Sequence, residues 1–391
     1  MISVDEARQI IAKNIRVLES EKRRVVDAFD YVLAEDVRAP ISLPPFPQSA
    51  MDGYAILLHD KNHQLEILNE SKAGSLASEM LQPGKTIRVF TGAPVPPNAE
   101  AVVMQENVEK KENLVYVKQD EVKKNENIRP IGEQISKGEL ALKKGTELSP
   151  ATIGFLESLG IEKVTVFKKP ICSILTTGDE LVKAGIKLKN GQIYESNSNM
   201  LKYALLTDHQ KIDQVLGVED DFEMTTSKIE KLSFQNDLLM ITGGISVGNY
   251  DYVGKSLLEL GCKQYFYKVN QKPGKPLYFG KLNDCFIFAL PGNPAAALTC
   301  YYQYVYQALN LLSGKGNKNR LSLLLPIAHA YNVRGNRSLF LKAIIEKGIV
   351  RILDAQASSM LVSFANANAM VYIPEETKSV NKGDLVEVMI I

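Results

Sequence analysis

The sequence predicts a multidomain α/β protein. Its centre is a doubly wound, mostly parallel sheet, joined by an elongated helical and β N-terminal part, an inserted small β domain and a C-terminal β-barrel. Three observations predict this. Between Pro170 and Leu311 short apolar runs alternate with helical stretches, the rhythm of strand–helix–strand units with buried parallel strands. From Leu65 to Val117 short β-like runs are broken by Gly and Pro, and no helix of ordinary length fits. From Leu321 to Ile391 short strands punctuated by Gly and Asn return.

Composition narrows the function classes. The chain has 391 residues, more than one ordinary core, with 46 Lys plus Arg against 45 Asp plus Glu and a net charge of +1. No global field exists to attract nucleic acid or an acidic membrane, so any anion site is local. The N-terminus lacks the basic start and apolar core of a leader, and no apolar run approaches a membrane span. The expectation is a cytoplasmic protein. Cys172, Cys262, Cys285 and Cys300 form no CxxC pair and read as small core residues. The four histidines form no HExxH pattern and read as surface or structural.

In chain order, Ser3 and Glu6 have capping-box spacing ahead of Ile10, Ile11 and Ile15, which predicts an opening helix. Pro40, Pro44, Pro45 and Pro47 then deny the chain helix and central strand, giving a rigid extended linker. It delivers SAMDGYAI, where Asp52 and Gly53 make a tight turn before a strand from Tyr54 to Leu58. A helix ending at Gly160 and a strand KVTVF close the first half. Pro170 opens the second half with the strand ICSILTTG; Ser196 or Ser198 would cap the next helix. Strands follow at 211–216, 237–242 and 285–290, and helices at 220–232, 252–260 and 295–311. SGKGNKNR is a basic linker into the last domain. The expected domains are 1–45 with 128–168, an insertion at 46–127, an α/β domain at 169–314 and a barrel at 320–391.

Chemistry concentrates between Asp237 and Pro294. Three loops there, TGGISVGNYDY, KPGKP and LPGNP, each adjoin an apolar run that reads as a buried parallel strand, and ligands sit at the carboxyl ends of such strands. Gly243, Gly244 and Gly248, with Ser246 and Asp251, follow a strand and precede a helix; they read as a phosphate cradle or as a plain tight turn. In LPGNP, Asn293 fits an N-cap, Pro294 the first helical position, and Gly292 a backbone bend over a ligand. Lys268, Lys272 and Lys275 flank Pro273, Gly274 and Pro276. A solvated face needs no rigid backbone, so this cluster reads as an oxyanion site. Asp52, Asp179, Glu180, Asp220 and Asp251 could hold Mg²⁺, with Asp179 and Asp251 favoured; capping and ion pairing are the alternative.

Taken together, PPFPQSAMDGYA, TGAPVPPNAEAVVMQE, ILTTGDELV, GGISVGNYDY, KPGKPLYFGKL and LPGNPAAAL resemble the molybdenum insertases, the family of bacterial MoeA and the gephyrin E domain, over nearly the whole chain. TTGDEL and the GG loop are also similar to molybdopterin adenylyltransferases and CinA-like proteins, implying a MogA-like central domain. The resemblance implies insertion of molybdate into adenylylated molybdopterin with Mg²⁺-dependent release of AMP. Adenylylation one step earlier and a non-catalytic scaffold are the alternatives. It implies catalytic roles for Asp52, Thr91, Glu180, Asp251, Lys272 and Lys275. It places Thr177, Gly178, Asp220, Gly243, Gly244, Ser246, Lys268, Pro291, Gly292, Asn293, Arg337, Lys342 and Ser358 around the bound cofactor precursor, with Asp179 and Asp251 on the metal. A homodimer is implied, in which Asp52 and Thr91 reach the cleft from the other subunit. This chain departs from the family at Pro47 and Gln48, at Gln134 in place of a carboxylate, and at Lys342 in place of Arg, which keeps the charge but loses bidentate geometry.

Overall fold

A computed structural model describes residues 1–75, 79–245 and 252–391. Two compact units divide the chain: Met1–Glu21 with Asp30–Val32 and Val166–Ile391, and Lys22–Phe29 with Leu33–Thr165.

In the first unit a six-stranded sheet runs in the order Lys211–Val218, Ile171–Thr177, Leu238–Thr242, Cys285–Leu290, Tyr278–Leu282, Lys263–Tyr267. The first four strands are parallel. Helices Asn197–Thr207, Phe222–Gln235 and Tyr252–Glu259 follow successive strands of this sheet. Strand Leu238–Thr242 is wholly buried, and its residues alternate between two cores: Leu238 and Met240 on one face, Leu239 and Ile241 on the other. A period of two with both faces apolar is what a covered parallel strand requires. Truncating Ile241 to Ala would cost about 2–5 kcal/mol, the usual loss for a filled core position.

The last two strands correct the sequence reading. Tyr278–Leu282 is antiparallel to Cys285–Leu290, and Lys263–Tyr267 is antiparallel to Tyr278–Leu282. Only Asn283 and Asp284 separate the first pair, too few for a parallel crossover, and Asn283 takes φ +53° in a hairpin turn. The cationic loop therefore belongs to an antiparallel edge, as an excursion between Lys263–Tyr267 and Tyr278–Leu282.

The opening helix, Val4–Asn14, has the expected capping box of Ser3 and Glu6 and buries Val4, Ala7 and Ile11 in the core on the Leu238 face. The helix expected at 295–311 is Pro294–Cys300, a π-turn Tyr301–Val305 and Tyr306–Leu312. Ser196 occupies the N-cap of the helix Asn197–Thr207, but neither its side chain nor that of Ser198 makes the capping bond. Glu195, one residue earlier, supplies that bond: its carboxylate accepts from the Ser198 backbone N–H at 2.8 Å and from the Ser198 hydroxyl. A carboxylate at that end also complements the helix dipole.

The last segment forms a sheet from Ser338–Glu346, Ala369–Ile373, Leu385–Ile390, Ser322–Pro326 and Ile349–Ile352 around Leu341, Val371 and Val388. A bridge between Ile327 and Val350 closes it into a barrel. Gln271–Lys272 pairs in parallel with Ser338–Leu339 at its edge.

The second unit holds a six-stranded sheet in the order Ala101–Met104, Gly53–Ile56, Lys85–Val89, Gln64–Ser71, Leu114–Val117, Val108–Lys111. It also contains the helix Pro150–Ser158, capped by Ser149. Among the described residues no helix is long and apolar enough to cross a membrane.

Candidate functional site

The parallel strands of the first unit deliver their polar residues to one edge. Strand Ile171–Thr177 ends at Thr177, whose hydroxyl donates to the Asp220 carboxylate beyond the neighbouring strand. Asp179 returns the link, its Oδ1 accepting from the Asp220 backbone N–H at 2.9 Å. The loop after Leu238–Thr242 passes so close that a Cβ on Gly243 would lie 2.1 Å from the Thr177 carbonyl oxygen, and Gly243 takes φ +88°. This glycine is required by packing as well as by conformation. Ser246, Gly248 and Asp251, the remainder of the expected cradle, lie outside the described residues.

Asn197 was not singled out from sequence, yet it ties this edge together. Its Nδ2 donates to Thr242 Oγ1 at 2.8 Å and to the Gly292 carbonyl at 2.7 Å. Thr242 Oγ1 in turn donates to the Pro291 carbonyl at 3.2 Å. The only local signal was a short polar residue in YESN at a helix start.

Beside this edge lies a cavity of about 260 Å³ lined by Gln271, Lys272, Pro273, Gly274, Lys275, Pro276, Pro291, Asn293, Ala296, Arg337 and Ser358. Lys272, Lys275 and Arg337 give it three cations, and among the described residues no carboxylate lines it. Each wall has a local cause. Pairing of Gln271–Lys272 with Ser338–Leu339 brings the preceding Arg337 alongside the lysines. Asn293 occupies the N-cap of its helix, but its side chain makes no cap bond; Nδ2 donates instead to Ser358 Oγ at 3.0 Å. The Ala296 N–H donates to the Ser358 carbonyl at 3.2 Å. Four separate stretches of chain thus meet around an electropositive hollow.

Two expected ligands stand elsewhere. Lys268 does not line the cavity; its ammonium lies 5.0 Å from the Tyr267 ring centroid. Lys342 is fully buried behind Ser358, donating to the Ala357 carbonyl at 3.3 Å with the Phe364 ring 5.7 Å away. Desolvation pulls its pKa from the ordinary 10.5 down to about 8. Glu180 is exposed near Gly178, where a Cβ would lie 2.8 Å from Glu180 Oε2.

In the second unit Asp52 and Thr91 are brought together. The Asp52 carboxylate accepts from the Thr91 N–H at 2.7 Å and from its hydroxyl at 2.8 Å, and these bonds hold the carboxyl below its ordinary range. All four cysteines are free, and burial raises the pKa of each thiol, so none is poised as a nucleophile.

Comparison with known proteins supplies the family. The chain matches the MoeA N-terminal region (domain I and II) over residues 2–160, a probable molybdopterin binding domain over 173–310 and the MoeA C-terminal region (domain IV) over 325–391. A molybdopterin molybdenumtransferase from Haemophilus influenzae is 33% identical over 399 residues, covering 99% of this chain and 98% of that protein. The chain belongs to the molybdopterin molybdenumtransferase family. Another family member, molybdopterin molybdenumtransferase 2 of Mycobacterium tuberculosis, is 31% identical over 407 residues, with 99% of each chain covered. The fold agrees: a crystal structure of the molybdopterin biosynthesis moeA protein from Pyrococcus horikoshii OT3 superposes with a TM-score of 0.84 at 29% identity, covering 100% of both chains.

Proposed function

We propose that this molybdopterin molybdenumtransferase family member inserts molybdate into adenylylated molybdopterin and releases AMP. Family membership makes the chain an enzyme, a transferase of molybdenum cofactor biosynthesis. The observation that carries the finer reading is the cavity with three cations and, among the described residues, no lining carboxylate. A dianionic oxyanion fits such a hollow, because each charge-assisted hydrogen bond to it is worth about 1.5–3 kcal/mol. Lys272 and Lys275 hold it as point charges and Arg337 through its planar fork. Asn293 and Ser358 add neutral polar contacts.

The adjoining strand ends would take the phosphate side of the substrate. Asp179 and Asp220 suit a hard cation that accepts one or two carboxylates and keeps waters and phosphate oxygens, although among the described residues no group of three or more metal-binding side chains forms. Mg²⁺ bound there would neutralise phosphate charge. Thr177 and Asn197 keep these loops in register, and Glu180 faces solvent beside them. The same reading includes a homodimer in which Asp52 and Thr91 serve the partner subunit's site.

The test is to incubate the protein with adenylylated molybdopterin, Mg²⁺ and molybdate. AMP release that requires molybdate supports insertion. Consumption of ATP in a parallel incubation with molybdopterin, Mg²⁺ and ATP would assign adenylylation instead, and the absence of both reactions would leave a scaffold.

A further inference from the structure

We propose that Gln271 is a positioning residue that sets the spacing of Lys272 and Lys275 in the oxyanion cavity, an inference that rests on the reading of that cavity as the molybdate site. The prolines of KPGKP fix two φ angles but remove two N–H donors, which leaves the loop fewer donors for its own carbonyls. Pro273 and Gly274 are buried, and an unpaired buried carbonyl is costly. Gln271, fully buried, supplies what is missing: its Nε2 donates to the Pro273 carbonyl at 3.0 Å and to the Gly274 carbonyl at 3.2 Å. Its Oε1 accepts from the hydroxyl of Tyr304, in the π-turn of the helical stretch that begins at Pro294.

The packing leaves no slack. Gly274 takes φ +87°, and a Cβ there would lie 2.6 Å from Cys300 Sγ and 2.8 Å from Gln271 Nε2. Gln271 also sits opposite Ser338 in the parallel pairing that places Arg337. One buried amide thus references both lysines to the helix that carries Asn293 and to the strand that follows Arg337.

The experiment is a molybdate titration, by turnover and by calorimetry, of Gln271→Met, which fills similar space with no donor and only a weak acceptor. Loss of two hydrogen bonds that fix the lysines predicts roughly tenfold weaker molybdate binding and a raised KM, with kcat within about twofold. Tyr304→Phe, which frees Gln271 to turn, should give a smaller rise, about threefold. Combined with Lys275→Ala, Gln271→Met should add less than it does alone, because one of the two charges it positions is gone. If Gln271→Met fails to fold, Tyr304→Phe decides. Unchanged molybdate dependence in these variants, while Lys275→Ala is impaired, overturns the role of Gln271 alone. A Gln271→Met effect that persists in full on the Lys275→Ala background overturns it too, as general loosening. If Lys275→Ala itself leaves molybdate binding intact, the cavity is not the oxyanion site and both readings fall.

Discussion

The two ends of one mixed sheet carry cavities of opposite character. At the amino end a hollow of about 640 Å³ is lined by residues that begin or precede strands, including Ile171, Lys211, Asp237 and Phe286. Its cations are largely matched: Lys168 pairs with Glu19 at 3.1 Å, Lys169 with Asp30 at 2.7 Å, and Lys281 with Asp284 at 2.9 Å. At the carboxyl end the cavity is less than half that size, yet among the described residues its three cations face no lining carboxylate. Volume favours the amino end of the sheet, whereas charge balance favours the carboxyl end, where the oxyanion site is proposed. On the proposed reading the unmatched cations serve a ligand, whereas the buried pair of Lys169 and Asp30 serves the fold, and this difference can be broken experimentally.

The largest effect is expected from Asp30→Ala. Asp30 accepts from both Lys169 and Lys315, and losing it removes the shared counter-charge of two largely buried ammonium groups, at a cost of about 3–5 kcal/mol in stability. Urea denaturation should report that loss while the molybdate KM of the folded protein stays put. The reverse pattern would erase the contrast between the two ends. Burial raises the Asp30 pKa, but the lysine hydrogen bonds outweigh it and the carboxyl ends below its ordinary 3.8. The unfolded chain therefore binds a proton first on acidification, so this contribution is present at neutral pH and fades as pH falls below about 4.

Next in size is Lys275→Ala, which should weaken molybdate binding by about 2 kcal/mol, or roughly thirtyfold, and move stability by less than about 0.5 kcal/mol. A large loss of stability with unaltered binding would place this lysine among the structural charges.

The smallest effect sharpens the position of Lys342, which belongs to neither end. Its pKa of about 8 lies below the ordinary 10.5, so between those values the unfolded chain holds more protons and stability rises with pH. Lys342→Met should abolish that rise and, at pH 7, be neutral or stabilising by about 1 kcal/mol, as replacement of a buried charge by an apolar side chain often is. Thermal melts across pH 7–11 check it; an unchanged rise in the variant would assign the titration to another group.

These regions also differ in how legible they were. Parallel strands such as Leu238–Thr242 were readable because a run buried on both faces is apolar throughout and ends in turn residues. The direction of Tyr278–Leu282 was not, because a short apolar run carries no polarity; Asn283 at φ +53° was the missed hairpin signal. Lys272 and Lys275 were legible from their proline-flanked loop, but the same reasoning grouped Lys268 with them, and the resemblance that implied Arg337 also implied Lys342; neither Lys268 nor Lys342 lines the cavity. How deep a lysine is buried depends on strands far away in sequence, as the Phe364 and Ala357 contacts of Lys342 illustrate. Asn197 and Gln271 were missed for the same reason. Asn197 bonds to Thr242 and Gly292, and Gln271 to the helical stretch that holds Tyr304.

The central claim is that the cavity at Lys272, Lys275 and Arg337 holds the oxyanion. Crystals grown with molybdate, measured at the molybdenum absorption edge, test it most directly. The account predicts an anomalous peak within hydrogen-bonding reach of those three side chains, absent in Lys275→Ala. A peak at the amino-end hollow instead, or none at the carboxyl-end cavity under saturating molybdate, would contradict it.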